Sequence, residues 1–112
     1  MTPSRAIRML DRQIAKSGQS AVLRRVVPNA EALERSVRVF FRGYGAKELV
    51  GGIQQGDSLV VISPTDWSQI EIEGLPLRND RLRVAGRLRN VESVNPVMID
   101  DHLVRINLQV RG

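Results

Sequence analysis

The sequence has no cysteine, a single histidine and only four aromatic residues among its 112. Without cysteine there are no disulfides, thiolate metal ligands or cysteine nucleophiles, and the chain has no need of an oxidising compartment. Long apolar runs are missing too. The stretch "LVVI" at 59–62 is far short of the roughly 20 residues that a membrane span requires, so a soluble chain with no membrane partner is expected. Charges at Arg5, Arg8, Asp11, Arg12 and Lys16 interrupt the opening segment, and no export signal is expected there.

What remains is ordinary globular material, 42% hydrophobic and 26% charged, which excludes disordered and collagen-like classes and suits one domain over 1–112. The net charge of +5 raises the expectation of contact with nucleic acid or an acidic surface. Its distribution says more. Residues 1–45 carry nine Lys/Arg against three Asp/Glu, residues 46–77 one against five, and residues 78–112 seven against four. A basic, acidic, basic order suits copies that meet through opposite charges as well as it suits a DNA binder.

Hydrophobic spacing predicts the elements. Thr2 or Ser4 can cap a helix over 3–17 whose apolar stripe is Ile7, Leu10 and Ile14, with Gly18 as its stop. A period of two then follows. It predicts strands over 20–27, through "SVRVFFRG" with Val37, Val39 and Phe41 on one face, over 58–63, and through "HLVRINLQVR" with Val104, Ile106, Leu108 and Val110 on one face. Asn29 is placed to cap a helical turn, "PTDW" reads as a loop, and "SQIEIEG" reads as a strand alternating Ile70 and Ile72 with Glu71 and Glu73. "RLRVAGRLRNV" reads as a strand kinked at Gly86. The fold class expected is mainly β: a small antiparallel barrel or sandwich of six or seven strands with one N-terminal helix.

Chemistry is thin. His102 follows Asp100 and Asp101, where a hairpin turn is a better reading than a metal or acid/base cluster, since one histidine cannot complete the usual metal shell. Gly51-Gly52 and Gly56-Asp57 are turn dipeptides and not a phosphate cradle, because no "GxxxxGK" is present. Glu71 and Glu73 fit a solvated strand face better than a carboxylate pair. No catalytic residue, cofactor or metal is expected, and the chain is not expected to be an enzyme. The arginines Arg78, Arg81, Arg83, Arg87 and Arg89 are candidates for a DNA-channel or subunit-contact face. None of Phe40, Phe41, Tyr44 and Trp67 interleaves with them, so binding of single strands by stacking has little support.

The order of features resembles the head-closure, or stopper, proteins of long-tailed (siphovirus-type) bacteriophages. The resemblance rests on Gly56-Asp57 before "SLVVIS", Pro76 followed by Asp80, then "DRLRVAG", "VESV" and a final alternating strand ending in "VRG", with the N-terminal helix leading into "AVLRRV". One departure stands out: where the family often has an aromatic two residues before the valine that follows the glycine, this chain has Arg89 before Val91. The resemblance implies a β-barrel that assembles as a homo-oligomeric ring of six or twelve copies in the virion neck, put together in the host bacterial cytoplasm. Such a ring sits between portal-adaptor proteins above and tail proteins below, closes the DNA exit channel, touches packaged DNA non-specifically and offers a tail docking surface. Two alternatives stay open: a basic, oligonucleotide-binding-type barrel that binds nucleic acid, and a tail terminator ring.

Two segments are candidate functional loops. In 63–69, Pro64, Thr65, Asp66 and Trp67 are candidates to gate or dock, with Trp67 either an exposed interface anchor or a cover over one end of the barrel core. The segment 43–57 is long for a hairpin connection.

Overall fold

Thr2 caps the first helix, α1 (Pro3–Ser17), its hydroxyl accepting the Arg5 N–H at 3.2 Å, and Pro3 supplies a helical φ at the first position. Leu10 and Ile14 form the buried part of the stripe. The helix ends at Gly18, whose N–H donates to Ile14 O at 2.8 Å. A β-carbon there would lie 2.7 Å from Val39 O and 2.9 Å from the Ile14 side chain, so glycine lets the helix end press onto the neighbouring strand.

The computed structural model describes residues 1–49 and 51–112; Val50, within the candidate segment 43–57, lies outside the described residues. Six strands follow the helix: β1 (Gln19–Arg25), β2 (Leu33–Gly43), β3 (Ser58–Ile62), β4 (Arg81–Val84), β5 (Arg87–Ile99) and β6 (His102–Arg111). They close an antiparallel barrel in the order β1-β2-β3-β6-β5-β4, which leaves the barrel no open edge. A short helix, α2 (Pro64–Ser68), lies between β3 and β4. Among the described residues, no helix is long and apolar enough to cross a membrane.

Alternation decides what lies inside. Ala21, Leu23, Val37, Val39, Val60, Ile62, Leu82, Val84, Val91, Ile106, Leu108 and Val110 fill the barrel. A second cluster lies outside the wall, where Leu59 and Val61 of β3 meet Leu10 and Ile14 of α1, with Phe40 and Tyr44 against them. This explains the unbroken "SLVVI": β3 is buried on both faces, one by the barrel interior and one by the helix.

Three expectations change. Asn29 sits in a turn and caps no helix: it has φ 60°, and Ala30 N–H returns to Val27 O at 3.2 Å. "SQIEIEG" is not a strand, because β3 already has β2 and β6 as partners and no edge remains for another. Glu71 instead turns at φ 59°, Ile70 drops into the core, and Glu71 and Glu73 share no strand face. Finally, Ala85 and Gly86 (φ 51° and 78°) are a two-residue hairpin turn between β4 and β5 and not a kink within one strand.

Candidate DNA and subunit interface

That hairpin splits the arginine series. In β4, Leu82 and Val84 point inward, so Arg81 and Arg83 stand outside, opposite Arg24 and Val22 of β1. Across the two-residue turn Leu82 pairs with Arg89 and Arg83 with Leu88, and paired residues share a face. Leu88 is therefore outward and exposed, and Arg89 is inward. Arg89 is 8% exposed, with its guanidinium 4.9 Å from the Phe41 ring centroid and its Nε donating to Val84 O at 3.3 Å. Burial first, and then the neighbouring charge of Arg87, push its pKa down. Two residues before Val91, the barrel interior thus holds an arginine lying over an aromatic ring. Arg87 is exposed at the mouth of the barrel, and Arg78 is exposed in the approach to β4. The expectation of one arginine face fails for Arg89: the exposed outer row is Arg24, Arg81 and Arg83.

The approach to β4 is held by a part-buried ion pair. Arg25 donates from Nε to Asp80 Oδ1 at 3.0 Å and from Nη2 to Oδ2 at 2.8 Å, and Oδ2 also accepts the Leu77 N–H at 2.9 Å. The hydrogen bond to Asp80 raises the Arg25 pKa against the opposing effect of burial. Arg25 continues the inward phase of Ala21 and Leu23, and Asp80 that of Leu82 and Val84. An oppositely charged pair in the inward phase of two strands was the available signal for this contact.

Residues 63–69 do not form an exposed loop. Ser63 caps α2, accepting the Thr65 N–H at 3.2 Å. The Asp11 carboxylate of α1 accepts the Ser63 hydroxyl and, at 2.9 Å, the Thr65 hydroxyl. Asp11 shares the helix face of Ile7, Leu10 and Ile14, and an acid on an apolar stripe was the signal that it meets a polar partner. Trp67 is 6% exposed and its Nε1 donates to Gly74 O at 2.8 Å. With Ile70 it belongs to the barrel core, and Ile72 and Leu75 pack against them, so of the two readings of Trp67 the cover over one barrel end is the one that holds. Thr65, Ser68 and Gln69 are the exposed members of the segment. Burial, then the charge of Asp11, raises the pKa of Asp66.

Segment 43–57 is tied down at both ends. Its 3-10 turn, Ala46–Glu48, is held by Arg42 donating to both Glu48 oxygens at 2.8 and 3.0 Å and by Gly45 N–H at 2.9 Å. These contacts, Arg42 foremost, lower the Glu48 pKa to about 2. At the far end the buried Asp57 receives Arg111 Nε at 2.7 Å, Arg111 Nη2 at 3.0 Å, Gln109 Nε2 at 2.8 Å and Gln54 N–H at 2.9 Å. Arg111 dominates in holding the Asp57 pKa at about 2, and its Nη1 also reaches Glu92 at 2.9 Å. Beside the segment lies a polar cavity of about 390 Å³ that Arg42, Tyr44, Asn95, Arg105 and Asn107 line.

His102 begins β6 directly after the Asp100-Asp101 turn, with Nδ1 2.7 Å from Asp100 O. Among the described residues no three acidic, histidine or cysteine side chains are grouped to hold a metal ion. The chain matches no family model and no curated protein.

Proposed function

We propose that the chain is a ring-forming connector of the bacteriophage neck, of the head-closure type, that seals the DNA exit below the portal and adaptor and receives the tail. The observation that carries this reading is a closed barrel with an exposed arginine row, Arg24, Arg81 and Arg83, on one side and an exposed acidic turn, Asp100-Asp101, on another. Opposite charges on two separate patches favour contacts between copies. The motifs from Gly56 to the final strand support it from the sequence. In this reading the barrel is a spacer with no bond-making role, and six or twelve copies surround the channel. Thr65, Ser68 and Gln69 on the lid face the gate or tail, with Trp67 beneath them as support. Arg78, Arg81 and Arg83 face either the DNA or the next copy.

A second reading, a nucleic-acid-binding barrel, draws on the same exposed arginine row. It has less support because none of Phe40, Phe41, Tyr44 and Trp67 is exposed, which leaves no platform for stacked bases. Imaging of particles that carry the protein, together with reconstitution on a portal-adaptor complex, separates the two. A ring between portal and tail is the expected result. Failure to join any portal-adaptor complex, with tight and steeply salt-dependent DNA binding by the monomer, overturns the connector reading.

A further inference from the structure

Two exposed features of opposite charge sit on different sides of the barrel. The first is the tip of the β5–β6 hairpin. β5 pairs with β4 only as far as Asn90, and β6 pairs with β3 only from Ile106 onward. Beyond those points the pairs Val97 with Arg105, Met98 with Leu103 and Ile99 with His102 continue as a two-stranded ribbon that has neither β3 nor β4 as a partner; Leu103 packs against the core, and Val97, Ile99 and Val104 line a cavity beside α1. Its turn is Asp100-Asp101, both exposed at positive φ (49° and 62°), and the adjacent Met98 is 53% exposed. Neither aspartate makes an ion pair among the described residues.

The second feature is the outer face of β1 and β4. Arg24 lies opposite Arg81 and Val22 opposite Arg83. A shallow groove of about 280 Å³ runs along it, lined by Ser20, Val22, Ser36, Arg83, Ala85 and Gly86. Arg81 and Arg83 have no acidic partner among the described residues, and Arg24 has only an exposed contact with Glu34 at 3.8 Å. In the strand order the β5–β6 boundary and the β4–β1 boundary are two positions apart, so the two features belong to different sides of the barrel.

We infer that the hairpin tip of one copy docks on the β1–β4 face of the next, with Asp100 and Asp101 against Arg81 and Arg83 and Met98 over Val22. The occupant is a second copy of this chain, because the tip supplies the charge that the groove lacks and, in Met98, an apolar side chain for a lining that includes Val22, Val84 and Ala85. A contact between two different patches is heterologous and repeats head to tail, closing into a ring when the rotation allows. The inference rests on the ring reading above for its biological setting, and it assigns the two outward arginines to the subunit contact and not to DNA. Arg89, inside the barrel, takes no part.

The absence of native cysteine makes a direct test possible. A chain carrying Arg83→Cys and Asp101→Cys, assembled on a portal-adaptor complex and treated with a short bis-maleimide, is expected to give a ladder of cross-linked species ending at the ring number. The control pair Arg83→Cys and Gln69→Cys, both exposed, is expected to give none. Reversing Asp100 and Asp101 to Arg, in a chain with Arg81→Cys as the only cysteine position altered on the groove side and Met98→Cys on the tip side, is expected to lower ladder yield about tenfold, as loss of close opposite charges does. Adding Arg83→Asp and Arg24→Asp to that chain is expected to restore it. Thermal unfolding of each variant shows that the barrel is intact. No ladder, a ladder equal to the control, or no restoration overturns the contact, as does loss of DNA binding in place of assembly when Arg81 and Arg83 are replaced. A ring at the neck without the ladder sinks this contact and leaves the connector reading standing. The ladder without a ring at the neck does the reverse.

Discussion

The two ends of the barrel are closed by different chemistry. At one end the lid of Trp67, Ile70, Ile72 and Leu75 covers the core with apolar surface, and Arg25 fastens its exit by donating to Leu75 O at 3.3 Å while gripping Asp80. At the other end Arg89 lies over Phe41, and Asp57, Arg111 and Glu92 tie the 43–57 segment to the last strand. Burial of apolar area depends little on pH or salt, whereas ion pairs depend on both. One barrel therefore has an end closed mainly by apolar burial and an end closed mainly by ion pairs, and the second depends more strongly on pH and salt.

Removing the lid tests the first half of this comparison. Trp67→Ala deletes a side chain that is 6% exposed and is expected to cost about 3–5 kcal/mol, measured by chemical denaturation followed by far-UV circular dichroism. A loss below about 1 kcal/mol, the scale of surface substitutions, would show that the lid is not part of the folded core.

Acid tests the second half. Asp57 and Glu48 both have folded pKa values of about 2 against ordinary values of 3.8 and 4.5. A lowered carboxylate contributes stability above its unfolded pKa and loses it as pH falls through the folded one, so the contribution is full near neutrality and disappears between about pH 4.5 and 2. Asp66 has the opposite sign: its raised pKa means that protonation relieves the lid. Melting temperature is expected to fall across that acid window, and Asp57→Asn is expected to flatten the fall. Limited proteolysis should cut within 43–57 before it cuts at the lid; the reverse order would contradict the assignment of the pH-sensitive end.

Smaller effects sharpen the picture. Arg89→Met keeps most of the volume, removes a cation whose ionised form burial disfavours, and gives up a cation–π contact worth about 1 kcal/mol. These changes oppose each other, and a net change under about 1 kcal/mol by denaturation is expected; a loss of several would mean that the guanidinium is essential to that end. Asp66→Asn removes a carboxylate that sits near Asp11, and a slight rise in melting temperature at neutral pH is expected, with no rise at a pH where Asp66 is already protonated.

Several parts of this architecture were legible in the linear pattern because they depend on local physics. Ile7, Leu10 and Ile14 mark a helical stripe, Thr2 and Gly18 mark its limits, and the alternation through Val104–Val110 fixes which side of β6 is inside. Other parts were not. Gly86 reads equally well as a kink or as the second residue of a turn, and the choice flips every later side chain; Leu88 and Arg89 exchange faces on that one decision. Ile70 and Ile72 alternate with Glu71 and Glu73 as a strand would, but a strand needs a free edge, and barrel closure left none beside β3. Trp67 could have been an anchor or a lid, and only the open end of the barrel above α2 settles that it is a lid.

Composition and periodicity by themselves determined a β-rich fold with an amphipathic N-terminal helix, since those features follow from spacing along the chain. The tertiary structure alone decided that the arginine run divides, Arg81 and Arg83 outside and Arg89 within. Side-chain direction in a hairpin is set by the register of the pairing, and register is a property of two strands held together, not of either one.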